Sequence, residues 1–185
     1  MKNLILTVVG VLAFNLSNAQ VEYETYTYGK ISIVVEEGKN QGKMYMDIED
    51  VGISLTAGQR SKYISFLDSS YAIYSRWSVI AKENNVTELR KDIESIKFDG
   101  HFKYGSKWQF STANIKTLIS ISEGKHYLYI YVAPMTSTSN QFMKSKGQIA
   151  NVTSEIISEI KLYLNEEKIN KFILSKNNVE DLFKN

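Results

Sequence analysis

Residues 127–132 read Tyr-Leu-Tyr-Ile-Tyr-Val, a strict alternation of tyrosine with aliphatic side chains. Side chains along a β-strand point to opposite faces in turn, so this run predicts a strand with two unlike faces. Leu128, Ile130 and Val132 form one face and Tyr127, Tyr129 and Tyr131 the other. An aliphatic row of this kind needs a core beneath it, which a lone strand cannot supply. The chain must therefore build a sheet that is apolar on one side. The same period of two recurs near the start. Tyr26 and Tyr28 share a face, as do Ile31, Ile33 and Val35. Met44, Met46 and Ile48 alternate with Tyr45, Asp47 and Glu49. Glycine-bearing polar stretches at 29–30, 36–43 and 123–125 read as the connections between strands.

Two segments break from this pattern towards a period near 3.6. Thr56 is a good N-cap residue, with Gln59 three positions on for a capping box. Tyr63, Phe66, Leu67, Tyr71, Ile73, Tyr74, Trp77 and Ile80 follow on more than one narrow stripe, which predicts a broadly buried helix, and Asn84-Asn85 marks the end. Thr153 caps a second helix carrying Ile156, Ile157, Ile160, Leu162 and Leu164, and a short C-terminal helix is expected around Ile169, Phe172, Ile173, Val179 and Leu182. Between the two main helices, strands are expected over 93–98, 102–104, 108–110, 117–121 and 127–132. A further short strand over 52–55 precedes the first helix. Pro134 ends the last strand, having no donor for a ladder.

The expected fold class is α+β. It has a mainly antiparallel sheet, one long central helix and C-terminal helices, and its two hairpin-rich halves each end in a helix. Four strands then a helix, twice over, resembles the element order of the PUR-alpha and whirly domains. That resemblance implies binding of single-stranded nucleic acid by a sheet. It covers element order and no functional motif, and the near-neutral charge balance counts against nucleic acid as a ligand.

The leader has its own logic. Lys2 precedes an apolar stretch over 4–16, and Ser17 and Ala19 then stand three and one residues before a cut ahead of Gln20. This is the order of a secretory signal, and the stretch is shorter than the roughly 20 residues of a membrane span. The ending Ser17-Asn18-Ala19-Gln20 resembles bacterial signal peptides that leave Gln at the new N-terminus. The expectation is an exported soluble protein, periplasmic or secreted, with residues 1–19 removed and residues 20–185 forming one α+β domain. No second stretch is long enough to span a bilayer. There is no cysteine, so the domain must hold together by packing, with 12 Tyr and 8 Phe available for burial. Residues 20–99 carry 10 basic and 13 acidic side chains, residues 100–185 carry 11 and 7. The second half is thus the basic one.

Catalytic motifs are not evident. His101 and His126 are the two histidines, too few for a histidine zinc site, so neither metal nor cofactor is expected. No serine lies in a nucleophile elbow and no glycine loop opens a helix, which speaks against hydrolase triads and phosphate cradles. Asp47, Glu49 and Asp50 bunch at one strand end. An alternative reading is therefore a small hydrolase using Asp47 and Glu49 with a histidine. The leading reading is a non-catalytic binding module of the cell envelope, with an envelope protein or glycan as its partner. Its candidate ligand-binding residues are Tyr127, Tyr129, Tyr131, Tyr26 and Tyr28, since a row of rings on a sheet can stack sugars, peptides or bases.

Overall fold

Eight strands lie in one antiparallel sheet in the order in which they occur in the chain. The computed structural model describes residues 23–28, 30–36 and 43–165. The leader and the expected C-terminal helix lie outside the described residues. The strands are β1 (Tyr23–Tyr28), β2 (Ile31–Glu36), β3 (Lys43–Ile48), β4 (Val51–Leu55), β5 (Leu89–Tyr104), β6 (Lys107–Ser122), β7 (Lys125–Val132) and β8 (Gln148–Val152). Helix α1 (Ala57–Glu83) joins β4 to β5, and α2 (Ser154–Leu164) follows β8. The mixed α+β, mainly antiparallel architecture expected from the alternating runs is thus observed.

Local chemistry explains the boundaries. Gln59 Oε1 accepts a hydrogen bond from the Thr56 N–H at 2.9 Å, the expected capping-box contact at the start of α1. At the other end the Asn84 side-chain amide donates to the Ile80 carbonyl at 2.7 Å, and Asn85 takes a left-handed φ of 52° that stops the helix. Thr153 accepts from the Ile156 N–H to start α2. The β6–β7 turn places Glu123 and Gly124 at φ 50° and 72°, the pair of positive values that suits a tight hairpin.

Both helices stack on one face of the sheet. Ile31, Ile33, Met46, Ile48, Val51, Ile53, Phe98, Phe102, Ile115, Leu128 and Ile130 are buried there, with Tyr63, Phe66 and Leu67 of α1 and Ile157, Ile160 and Leu164 of α2. Tyr63 packs its ring against Phe66 and edge-on against Phe98, and its hydroxyl donates to Met46 Sδ at 3.1 Å. Burial drives that hydroxyl far above the usual tyrosine range, so it stays neutral. One polar bridge crosses the same interface. Ser70 of α1 is buried and meets Thr117 of β6 at 2.8 Å, while Ser69 donates to Glu94 of β5 at 2.6 Å. Lys161 of α2 pairs with Asp68 of α1 at 2.6 Å and ties the helices together.

The hairpin of β5 and β6 differs from expectation. Four separate runs between residues 93 and 121 are two continuous strands of 16 residues each. Gly100 reads as a break in the sequence, but it sits inside β5 because nothing larger fits. A Cβ there would lie 2.6 Å from Ala113 Cβ and 2.7 Å from Met135 Sδ. The long strands serve two groups of neighbours. β4 pairs only with residues 99–102 of β5, whereas β7 pairs only with residues 115–122 of β6. Along the first half of β6 the segment after β7 takes the place of a strand, with Ala133 N–H donating to Asn114 O and Thr138 N–H to Phe110 O. A bulge at Ile93, where the register jumps between Asp92 and Glu94, adds twist to the free side of β5. The sheet curls enough to bring β8 beside β3. β8 itself was not anticipated, since its sequence Gln-Ile-Ala-Asn-Val is short and weakly patterned.

Candidate functional site

Because α1 and α2 occupy one face, the opposite face of β5 to β8 carries no helix among the described residues. The three tyrosines of β7 stand on that open face. Leu128, Ile130 and Val132 are buried on the core side, while Tyr127, Tyr129 and Tyr131 are half-buried. Pairing sets their surroundings. Tyr127 is opposite Ser120, Tyr129 is opposite Leu118, and Tyr131 is opposite Lys116. On the other side Tyr129 faces Asn151 and Tyr131 faces Ile149.

The rings form a fixed platform rather than three loose side chains. Tyr127 and Tyr129 have centroids 6.0 Å apart at an interplanar angle of 32°. Leu118, the ladder partner of Tyr129, is buried on the same face. Tyr131 lies over the backbone of Gly147, where an added Cβ would come within 2.7 Å of its hydroxyl and 2.9 Å of its ring. Lys116, beside it, pairs with Asp92 at 2.7 Å. The arrangement offers π-faces flanked by an amide and an ion pair, which suits stacking of a planar or ring-shaped ligand with hydrogen bonds at its rim. Gly147→Ala is expected to push the Tyr131 ring aside while costing at most about 1 kcal/mol, since a side-chain end can move where backbone cannot. A change in near-ultraviolet tyrosine circular dichroism at an almost constant melting temperature would show it, and an unchanged spectrum would refute the contact.

Tyr26 and Tyr28 do not join this platform. They lie in β1 opposite Ile33 and Ile31. Partners in a ladder share a face, so their positions fall on the core side of the sheet, away from the β7 tyrosines. The side chains of β1 lie outside the described residues.

A second cluster lies on the open face, between β3 and β5. His101 Nε2 and Asp47 Oδ1 are 2.5 Å apart, both side chains largely buried. Gly52 of β4 stands between them in the ladder, paired with Asp47 on one side and His101 on the other. Its missing side chain is the gap across which they bond. Trp108 of β6 closes over His101 edge-on, with centroids 5.2 Å apart.

Of the hydrolase constellation, the fold brings Asp47 and His101 together and leaves Glu49 apart. β3 ends at Ile48, and Glu49 sits in the following turn at φ 57°, where it pairs with Lys30 at 2.8 Å. His126 pairs with Ile121, which in turn faces Leu89, at the end of the long hairpin remote from His101. Among the described residues no three His, Asp or Glu side chains converge as metal ligands. Ser70 belongs to the buried bridge between α1 and β6 described above. Comparison with protein-family models, with curated proteins and with solved structures gives no match.

Proposed function

We propose that the chain is an exported, non-catalytic binding module of the bacterial cell envelope, and that its ligand lies on the tyrosine face of β7. One observation carries the reading: the helices pack on the other side of the sheet, and Tyr127, Tyr129 and Tyr131 stay half-exposed on a face no helix of the described residues covers. A glycan or a segment of an envelope protein suits this platform, whose rim is polar and whose charges are balanced. Export is supported by the leader sequence, with cleavage before Gln20. No described helix is long and apolar enough to cross a membrane. The two successive sets of four strands and a threonine-capped helix support a further reading as two copies of one ancestral unit.

The test is a thermal-shift screen of residues 20–185 against glycans, peptidoglycan fragments and envelope-derived peptides. A true ligand at a hundredfold excess over its dissociation constant stabilises the native state by about 2.7 kcal/mol. Tyr129→Ala is expected to weaken that ligand about five- to 150-fold, because loss of one stacking ring costs about 1–3 kcal/mol. A ligand bound equally well by Tyr129→Ala would place the site elsewhere.

A further inference from the structure

Beyond the tyrosines themselves, the fold gathers two segments that are far apart in sequence, the second ending at Gly147 beneath Tyr131. One is the tip of the β5–β6 hairpin, residues 103–112; the other is the connection from β7 to β8, residues 133–147. They are tied by Thr138 N–H to Phe110 O at 3.0 Å, Ser111 Oγ to Thr136 O at 2.7 Å and Ser137 Oγ to Gln109 Oε1 at 3.1 Å. Neither segment contains an aspartate or glutamate, and together they carry Lys103, Lys107, Lys144 and Lys146. Both also show large aromatic side chains to solvent: Phe142 is 81% exposed, Phe110 64%, Trp108 48% and Tyr104 48%. An open depression of about 590 Å³ lies between Thr136, Gln141, Phe142 and Lys144.

We infer that this end of the molecule docks on a lipid bilayer that carries anionic headgroups. Aromatic rings with an apolar body settle at the boundary between headgroups and acyl chains, and lysines beside them meet the negative surface potential. Charge complementarity selects this occupant. Carboxylates do stand nearby, in the β3–β4 turn and on β5. Glu49 is held by Lys30 at 2.8 Å, Asp50 accepts the Lys103 N–H through its backbone oxygen at 2.8 Å, and Asp99 faces Thr112. Glu49 is paired with Lys30, and Asp47, beneath Trp108, is bonded to His101, which leaves Asp50 and Asp99 against the four lysines. A nucleic-acid strand would be met by rings lining a groove, whereas Phe142 stands at the apex of a turn and Trp108 and Phe110 flank a hairpin tip. The contact is peripheral. It is read by flotation with vesicles, not by binding of a soluble ligand, so it stands or falls apart from the ligand proposed for the tyrosines of β7.

The experiment is flotation of residues 20–185 with vesicles of phosphatidylglycerol and phosphatidylcholine, against vesicles of phosphatidylcholine alone. The protein is expected to float with the anionic vesicles and to be released by high salt. Lys144→Gln with Lys146→Gln is expected to lower the affinity about thirtyfold, each lysine near an anionic surface being worth roughly fivefold. Phe110→Ser with Phe142→Ser should reduce flotation without changing the melting temperature, since both rings are exposed. In a Trp77→Phe background the emission of Trp108 should shift to the blue on addition of anionic vesicles. Absence of flotation with either vesicle, equal flotation with both, or equal flotation of the lysine variant overturns the inference. Capture of a single-stranded oligonucleotide in place of vesicles overturns it as well.

Discussion

Tyr63→Ala is expected to lower the stability of the domain by about 3–5 kcal/mol, the usual loss for removing a buried ring. Tyr63 is fully buried where α1 crosses the sheet, between Phe66 of its own helix and Phe98 of β5. Alanine would leave a cavity that neither a 27-residue helix nor the paired strands can collapse to fill. Tyr63→Phe is expected to cost no more than about 1 kcal/mol, because the hydroxyl donates to a thioether sulfur, a weak acceptor. Urea denaturation of the two variants measures both values. A loss below about 1 kcal/mol in Tyr63→Ala would mean that α1 is not docked on the sheet as described.

Gly52→Ala should be nearly as damaging, although it adds a single methyl group. The new Cβ would overlap the Asp47 carboxylate and lie 2.7 Å from both His101 Nε2 and the Met46 carbonyl oxygen. The carbonyl belongs to the ladder and cannot retreat. The Asp47–His101 contact must therefore open, and two buried polar groups lose each other. Overpacking costs about 1–3 kcal/mol and breaking a buried pair about 3–5. Asp47 retains some solvent contact, so a total of about 3 kcal/mol is expected. Adding Asp47→Ala to Gly52→Ala should then cost much less than Asp47→Ala alone, since both disrupt one contact. Fully additive losses in that cycle would show that Gly52 and Asp47 act independently.

The sheet was legible where strands are half-buried, because one apolar row then alternates with one polar row. β3, β7 and the start of β2 show it plainly. The same rule failed across the β5–β6 hairpin. Its residues pass from one set of neighbours to another, so burial shifts along each strand and Leu118 and Ile119 are buried on opposite faces. The alternation dissolves into apparent fragments. The tyrosine pair of β1 and the tyrosine row of β7 looked alike for a related reason. Period two says which residues share a face but not which face meets the core, and the register puts Tyr26 and Tyr28 opposite core isoleucines. The Asp47–His101 contact depends on β3, β4 and β5 lying side by side with glycine in the middle, a fact of strand order that no local pattern contains. Glu49 looked like a partner of Asp47 by parity alone, and the left-handed turn at that residue removed it from the strand.

The strictly sequential strand order also bears on how the chain reaches this structure. Each strand pairs with the one just before it; the β4–β5 junction makes a detour through α1 and the β7–β8 junction one through residues 133–147. Most contacts therefore close short loops, which lowers contact order relative to a Greek-key sheet of equal size. The hairpin of β5 and β6 can zip from its Gly105 tip without waiting for distant segments. The remaining strands can then add outwards on either side, each step extending an edge already in place.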